Sequence, residues 1–494
     1  MDNYKEIAAQ NLTLDPSDWK QMRALGHEML DDMMDYLQHI SEEPTWRIMP
    51  NEAKEFLKDG LPHHPQNIES IYKEFKKYIL PYNKGNIHPR FFAWVQGTGT
   101  PFSVLAEMLA ATMNPNVTIG EHSPMYVDQQ IIEWCKQMLH YPASSSGILL
   151  SGASMANITA LTVARDHQLG LNIRSGGVQE AKSKMLIYCS TESHSCIQKA
   201  AELIGIGTKG VRNIKVNEEY RINTQELITV IQDDIDKGFL PFCIVGNAGT
   251  VNTGAIDPLD ELSGIAKKFN LWFHIDGAFG ALAKLVPEFS ASLKALENAD
   301  SVAFDLHKWM YLPYEIGCTL IRNATAHRSS FAVSPEYLNS EERGLAGGPD
   351  PISNYGPELS RGFKALKVWM SLKEHGINKF SDMIKQNISQ AFYLSSLIKK
   401  EKNLELLAPV TLNIVCFRYV NDHFSEDQLD KINKEILILL QEQGIASPSS
   451  TILHGKFAIR VCIVNQRSKI ADFDLLAMQT LKVGNDLSSN KFAN

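Results

Sequence analysis

The stretch GILLSGASMANITALTVARD, residues 147–166, changes character halfway along. Ile148, Leu149 and Leu150 form an unbroken apolar run, the pattern of a strand buried on both faces. Four small residues follow, Ser151-Gly152-Ala153-Ser154, and then a helix-like segment. The same alternation recurs downstream. MLIYCS (185–190) precedes CIQKAAELIGI (196–206), and FCIVGNAG (242–249) precedes LDELSGIAKKF (259–269). LWFHIDGAFG (271–280), SVAFDLH (301–307) and GCTLIR (317–322) complete the series. Short apolar strands separated by amphipathic helices predict an α/β domain around a mostly parallel sheet. In such sheets ligands gather where the strands end.

The chain has 494 residues, more than one core usually holds, which favours two or three domains. Composition is globular, 44% hydrophobic and 21% charged, and the net charge of −8 argues against a nucleic-acid partner. Seven cysteines without a close CxxC pair point away from a disulfide frame or a zinc site. The first residues, MDNYKEIAAQNLTLDPSDWK, lack the pattern of a signal peptide. No run approaches the ~20 apolar residues that span a bilayer. The expected location is the cytoplasm, with no membrane partner.

Outside the alternating region the texture differs. In DPSDWKQMRALGHEMLDDMMDYLQHI, Asp15 and Pro16 suggest a helix start. Trp19, Met22, Leu25, Met29, Met33 and Leu37 fall at helical spacing. This stripe, and a second helical stretch at ESIYKEFKKYIL (69–80), have little local apolar partner. They must pack on the main body or on another subunit. A turn-rich loop spans 334–362, long helices follow, and the tail reads strand–helix–strand. The expected domains are a helical segment at 1–85, a large domain at 86–385 and a small C-terminal α/β domain at 386–494.

The residues with chemical potential sit at predicted strand ends. The small-residue turn at Ala153 and Ser154 can face an anion with backbone N–H groups at a helix start; the plainer reading makes Ser154 a helix cap. Asp276 ends an apolar strand and needs a partner there, or caps the next helix. His194 follows another strand end, where a structural histidine is the commoner finding. In DLHKWMYLPYEIGC (305–318), Lys308 precedes an apolar run. Apolar surroundings would depress its pKa and favour the nucleophilic amine; otherwise its head reaches water. His307-Lys308 lies 32 residues after Asp276. Pyridoxal phosphate needs this set: a lysine for its Schiff base, an acid for its ring nitrogen, a phosphate cradle and something flat against its ring. No His/Asp/Glu cluster has metal-ligand spacing.

With those residues in view, the chain closely resembles the pyridoxal-phosphate-dependent group II amino-acid decarboxylases, which include the aromatic-amino-acid and glutamate decarboxylases. The likeness runs through DWKQMRALGHEMLDDMMDYL, GNIHPRFFAWVQGTGTPFSVLAEMLAA, STESHSCIQKAAELIGIG, GNAGTVNTGAIDPL, WFHIDGAFGA, SVAFDLHKWMYLPYEIGC, ELSRGFKALKVW and HGKFAIRVCIVNQR. It implies the fold-type-I α/β architecture, with an N-terminal helical segment wrapping a partner in a homodimer. It implies that Lys308 carries the Schiff base and Asp276 pairs with the ring nitrogen. Ala278 and His194 would flank the ring, Ala153 and Ser154 would hold the phosphate, and Thr250 would sit near the phenolic oxygen. His307 would touch the phosphate or the substrate carboxylate.

The family's proton-donating tyrosine matches Tyr355 across a gap, with Tyr337 the second choice. A loop without that donor would yield aldehyde and peroxide in place of amine. Met155 stands where many relatives carry glutamate, a slight change to the phosphate shell. Phe91, Phe92 and Trp94, in HPRFFAWVQG, suit a flat substrate side chain or else are strand core. Gln96 suits an acidic one. The expected reaction is decarboxylation of an L-amino acid, aromatic first, with glutamate, aspartate or diaminobutyrate as alternatives.

Overall fold

A computed structural model describes residues 4–5, 8–9, 12–170, 172–333 and 341–492. The chain forms two compact units, one from 1–43 with 47–83 and one from 44–46 with 84–494.

The first unit is helical. Its longest helix, α1 (Trp19–His39), starts one turn later than Asp15-Pro16 suggested. Asp18 is the cap, because its Oδ1 accepts from the N–H groups of Lys20 (2.8 Å) and Gln21 (3.1 Å). Only Leu25 of α1 is buried, while Trp19, Met22 and Met29 remain exposed. Asp32 of α1 accepts from the Tyr72 hydroxyl and the Lys76 ammonium, tying α1 to the helical stretch near residues 68–79.

The second unit contains two sheets. The larger has seven strands: β1 (Ser146–Leu150), β2 (Met185–Ser190), β3 (Val211–Ile214), β4 (Leu240–Asn247), β5 (Trp272–Asp276), β6 (Ser301–Asp305) and β7 (Gly317–Ile321). Their spatial order is β1-β7-β6-β5-β4-β2-β3. Strands β2 to β6 pair in parallel, and β7 runs antiparallel between β1 and β6. All the strands expected from sequence are present. β3 is an addition, a half-exposed edge strand with a weak apolar signal. The central strands β2, β5, β6 and β7 are buried along their whole length, as parallel sheets covered on both faces require.

Helix α2 (Ala153–Leu169) follows β1, and α3 (Ser195–Leu203) follows β2. A single turn, α4 (Leu306–Trp309), follows β6. Thus β1, β2, β4, β5 and β6 deliver their C-terminal ends to one edge of the sheet. Gly317 permits the close approach there: a Cβ on it would strike the Gly152 backbone and the Asp305 carboxylate.

Helix α5 (Ala365–Lys400) runs from the large sheet toward the second one and kinks at Gly376, which holds φ 70°. The domain boundary expected at 385/386 therefore lies inside a helix. The second sheet is antiparallel, ordered β10-β11-β9-β8 from β8 (Leu404–Leu406), β9 (Ile414–Tyr419), β10 (Ser449–Leu453) and β11 (Lys456–Cys462). It packs with α6 (Glu426–Glu442) and α7 (Ile470–Phe492). The segment HPRFFAWVQG forms no strand, only a bridge between Phe91 and Ser447.

Candidate active site

The strand ends line a cavity of about 500 Å³. Lys308, His307 and Asp305 enter it from the end of β6 and from α4, Asp276 and Ala278 from β5, and His194 and Cys196 from the start of α3. Ala153, Ser154 and Met155 come from the start of α2. Trp94, Gln96, Tyr314 and Arg460 close the remaining sides.

Lys308 is held by a residue that sequence reasoning missed. Its Nζ lies 2.8 Å from Asp305 Oδ2, one helical turn back. Burial alone would lower the lysine pKa, as the sequence reading expected. The charges of Asp305 and Asp276 outweigh burial and raise it above the ordinary lysine value. Lys308 is therefore a paired ammonium and not a neutral amine in an apolar wall. A second strand-end carboxylate was visible in DLHKW; the same rule that singled out Asp276 applies to Asp305.

Asp305 does more than pair Lys308. Its Oδ1 accepts the backbone N–H of Ala153 at 2.6 Å, and its Oδ2 is 3.7 Å from His307 Nε2. The Ala153 N–H is thereby occupied and does not serve an anion. The next two N–H groups of α2 belong to Ser154 and Met155, which line the cavity, and lack intrahelical partners by helix geometry.

Asp276 is buried, and its Oδ1 accepts from Ala278 N at 3.1 Å. Burial raises its pKa, opposed mainly by Lys308. His194 caps α3, its Nδ1 accepting from Cys196 N at 3.2 Å, and burial lowers its pKa. The ring is neutral with its proton on Nε2. His307 bonds Ile316 through Nδ1, and its ring lies 4.4 Å from that of Tyr314. Burial lowers its pKa as well.

The remaining expected residues divide. Trp94 and Gln96 line the cavity, and the Tyr314 hydroxyl donates to Gln96 Oε1 while accepting from Gly97 N, each at 3.0 Å. Phe91 is buried and does not line it, since its ring packs beside Trp94. Thr250 also lies behind the lining; its hydroxyl pairs with Thr253 and accepts from Ala255 N. Gly249 and Val251, on either side of it, do line the cavity. Tyr355 is not brought into the cavity of its own chain. Its ring packs edge-on to His327, and its hydroxyl bonds Asp350. Tyr337 lies outside the described residues.

Arg460 and Asn247 went unassigned in sequence. The Arg460 guanidinium, buried, donates to the carbonyls of Val251, Asn252 and Trp94 and so fixes the cavity wall. Asn247 bonds Ser190, Ser193 and Asp257, locking the ends of β2 and β4 together. Neither role has a local sequence signal, because the partners lie far apart in the chain.

The donor set fits pyridoxal phosphate. A lysine amine and a buried carboxylate face one cavity, with two free helix N–H groups at its end and a neutral imidazole and a small alanine beside it. Comparisons agree with that fit. A bacterial aromatic-L-amino-acid decarboxylase from Bacillus atrophaeus is 32% identical over 95% of this chain and 96% of its own. A phenylacetaldehyde synthase from a Rosa hybrid cultivar is 28% identical over 93% of each. The crystal structure of Oryza sativa TDC with PLP and tryptamine superposes with a TM-score of 0.88 at 23% identity, covering 96% of this chain and all of that one. The family model described as the pyridoxal-dependent decarboxylase conserved domain matches residues 50–420, a span that holds every strand of the large sheet and Lys308 with it, and the chain belongs to that family.

Proposed function

We propose that this pyridoxal-phosphate-dependent amino-acid decarboxylase acts on an aromatic L-amino acid, releasing the amine and CO2, as a homodimer. The observation that carries the substrate class is that Trp94 and Tyr314 border the cavity that Lys308 enters. Flat faces there suit an aromatic side chain. The 32% identical relative is an aromatic-L-amino-acid decarboxylase, which supports the same choice.

Bound pyridoxal phosphate supplies an electron sink for the pair released when the Cα–carboxylate bond breaks. The chain's own groups do the rest. Lys308 Nζ must give up its proton before it can act as a nucleophile, and until then Asp305 Oδ2, 2.8 Å away, holds the ammonium in place. Asp276, buried and lining the cavity, would hold a proton at the ring nitrogen with its carboxylate. His194, whose Nδ1 accepts from Cys196 N, would flank the ring. Ser154 and the start of α2 would hold the phosphate, and His307, which also lines the cavity, would assist. Arg460 keeps the wall at Val251 and Trp94 rigid, which fixes where the substrate side chain lies.

The dimer reading is supported by Trp19, Met22 and Met29, apolar and exposed on α1. Sedimentation at micromolar concentration tests it, and a monomer would refute it. The cytoplasmic reading rests on seven buried cysteines with no disulfide among them. No helix among the described residues is long and apolar enough to cross a membrane.

A second reading, decarboxylation-dependent aldehyde synthesis, is favoured by one observation: Tyr355 lies outside its own chain's cavity. One experiment separates these readings. The cofactor-loaded protein is incubated with a panel of L-amino acids while CO2, amine and peroxide are recorded together. Equal CO2 and amine from an aromatic acid, without peroxide, is the expected result. The same yield from an acidic or diamino acid would refute the aromatic assignment, and peroxide with aldehyde would establish the second reading.

A further inference from the structure

Three polar or indole side chains occupy alternate positions of β5. Trp272, His274 and Asp276 share one face of the strand, and Phe273 and Ile275 take the other. Only Asp276 reaches the cavity. The other two lead away from it through an unbroken set of buried hydrogen bonds. Trp272 Nε1 is 2.7 Å from Ser301 Oγ, on β6 directly beside His274 in register. Ser301 Oγ is 2.8 Å from His274 Nδ1, and His274 Nε2 is 2.6 Å from Asn157 Oδ1 on α2. Asn157 Nδ2 is 3.3 Å from Cys196 Sγ on α3, and Cys196 Sγ is 3.7 Å from Asp276 Oδ2.

The carboxylate end fixes the direction of this chain, and the indole end is compatible with it. An indole N–H can only donate, and an ionised carboxylate can only accept. From the carboxylate end, the thiol donates to Asp276 and accepts from the Asn157 amide N–H. Asn157 Oδ1 therefore accepts from His274 Nε2, and Nδ1 accepts from Ser301, which accepts in turn from Trp272. Running the chain backwards would place a sulfur lone pair against the carboxylate. Burial pushes the His274 pKa down to about 3 and the Cys196 thiol well up, so both stay in the neutral forms that the chain needs.

We propose that Trp272, Ser301, His274, Asn157 and Cys196 form a one-way hydrogen-bond chain that orients the Asp276 carboxylate from behind, with Cys196 as the positioning residue in contact with it. With Ala278 N–H on Oδ1 and Cys196 S–H on Oδ2, the carboxylate plane is fixed at both oxygens. The charged and titratable groups facing Asp276 are Lys308 and Asp305 from the β6 end, and His194 and Cys196 from α3. The inference rests on the reading of Asp276 as partner of the ring nitrogen.

The test uses the full-length, cofactor-loaded protein. The S–H stretching band of Cys196 is isolated as the infrared difference between the native protein and Cys196→Ser. All seven thiols are buried, and Cys196 is the one beside a carboxylate, so its band is expected at the lowest frequency of the set. Asn157→Ala is expected to move it. A Cys196 band at the frequency of the other thiols, or one unmoved by Asn157→Ala, would overturn the proposal. Cys196→Ala is expected to raise the cofactor dissociation constant about tenfold and to shift the pH dependence of its absorbance, as loss of a hydrogen bond to a charged group does. Cys196→Ser, which keeps a donor at that place, is expected to restore both. Equal dissociation constants and equal pH profiles in all three proteins would also overturn it. The thiol band reads the chain without reference to the cofactor, and Asp276→Asn reads the role of Asp276 alone, so the two ideas fail separately.

Discussion

Asp305→Asn isolates the contact that the structure adds to the expected site. The amide keeps an oxygen to accept the Ala153 N–H, so the start of α2 stays in place while the charge beside Lys308 disappears. At 2.8 Å the ion pair has a Coulomb attraction of roughly 6 kcal/mol at an effective dielectric of ~20. Desolvation of both groups offsets much of that. Removing one partner of a buried pair costs about 3–5 kcal/mol, because the other charge is left behind. Lys308 can relieve part of this by losing its proton, since burial already disfavours its charge. The sign follows from linkage. A lysine pKa raised by folding adds stability that is fully present below the ordinary value of 10.5 and is lost as pH rises through the raised one. In the variant burial outweighs the remaining Asp276 charge, and Lys308 becomes a free amine at lower pH. Competitive acylation of the cofactor-free protein across pH, read by peptide mass spectrometry, titrates Lys308 individually. The expected result is a lower midpoint in Asp305→Asn, together with a urea stability loss of about 3–5 kcal/mol. Adding Lys308→Met should recover part of that loss. An unchanged midpoint, or a double variant no more stable than the single one, would refute the pairing as the control on Lys308.

Lys308→Ala should abolish the visible absorbance of the loaded protein, and an unchanged spectrum would remove Lys308 from the Schiff-base role. Tyr355→Phe should leave the ratio of amine to aldehyde unaltered, because its hydroxyl is engaged by Asp350 away from the cavity; Tyr337→Phe is the comparison expected to move it. A shift with Tyr355→Phe alone would return that residue to proton delivery. Stability should decline as pH falls from 6.5 toward 4, since burial holds His274 and His327 neutral with pKa values of about 3 and about 4. Unfolding lets both take up protons at their ordinary value. A urea midpoint flat over that range would contradict the buried, neutral assignment.

The apolar strands were legible because burial on both faces leaves a continuous signal in sequence, as in FCIVGNAG and SVAFDLH. β3 (VRNI) and β10 (SSTIL) were not, since each carries consecutive polar residues and leaves part of its length exposed. The pocket's charged residues were legible one by one from their strand-end positions. Their pairing was not. Asp305 and Lys308 meet only because residues 306–309 form a helical turn, which brings positions three apart onto one side. The Cys196–Asn157–His274–Ser301 connections join two helices and two strands, with no spacing that a single segment could reveal. Tyr355 was not expected to lie outside its own chain's cavity for a different reason: a turn-rich loop has no periodicity to fix its direction, and the match to a relative's tyrosine required a gap.

The two strand-end carboxylates look alike in sequence and differ in what the fold supplies to them. Asp305 receives a cation from its own chain at 2.8 Å. Among the described residues, Asp276 accepts hydrogen bonds only from neutral donors, the Ala278 N–H and the Cys196 thiol. Burial then works on each in a different way. Beside Asp305 it strengthens an existing pair. At Asp276 it leaves a carboxylate whose ionised form is costly, which raises its pKa. A flat molecule bearing a protonated ring nitrogen relieves that cost in only one orientation, with the nitrogen toward Asp276. The start of α2 would then hold its anionic end, and Lys308 would supply the amine for its aldehyde. On the proposed role of Asp276, the difference between the two aspartates would orient the cofactor before any contact to its substituents is counted. An Asp276→Asn variant should therefore lose orientation as well as affinity, and the circular dichroism of the bound cofactor should fall by more than its occupancy does. Equal proportional losses of dichroism and occupancy would show that Asp276 supplies affinity alone.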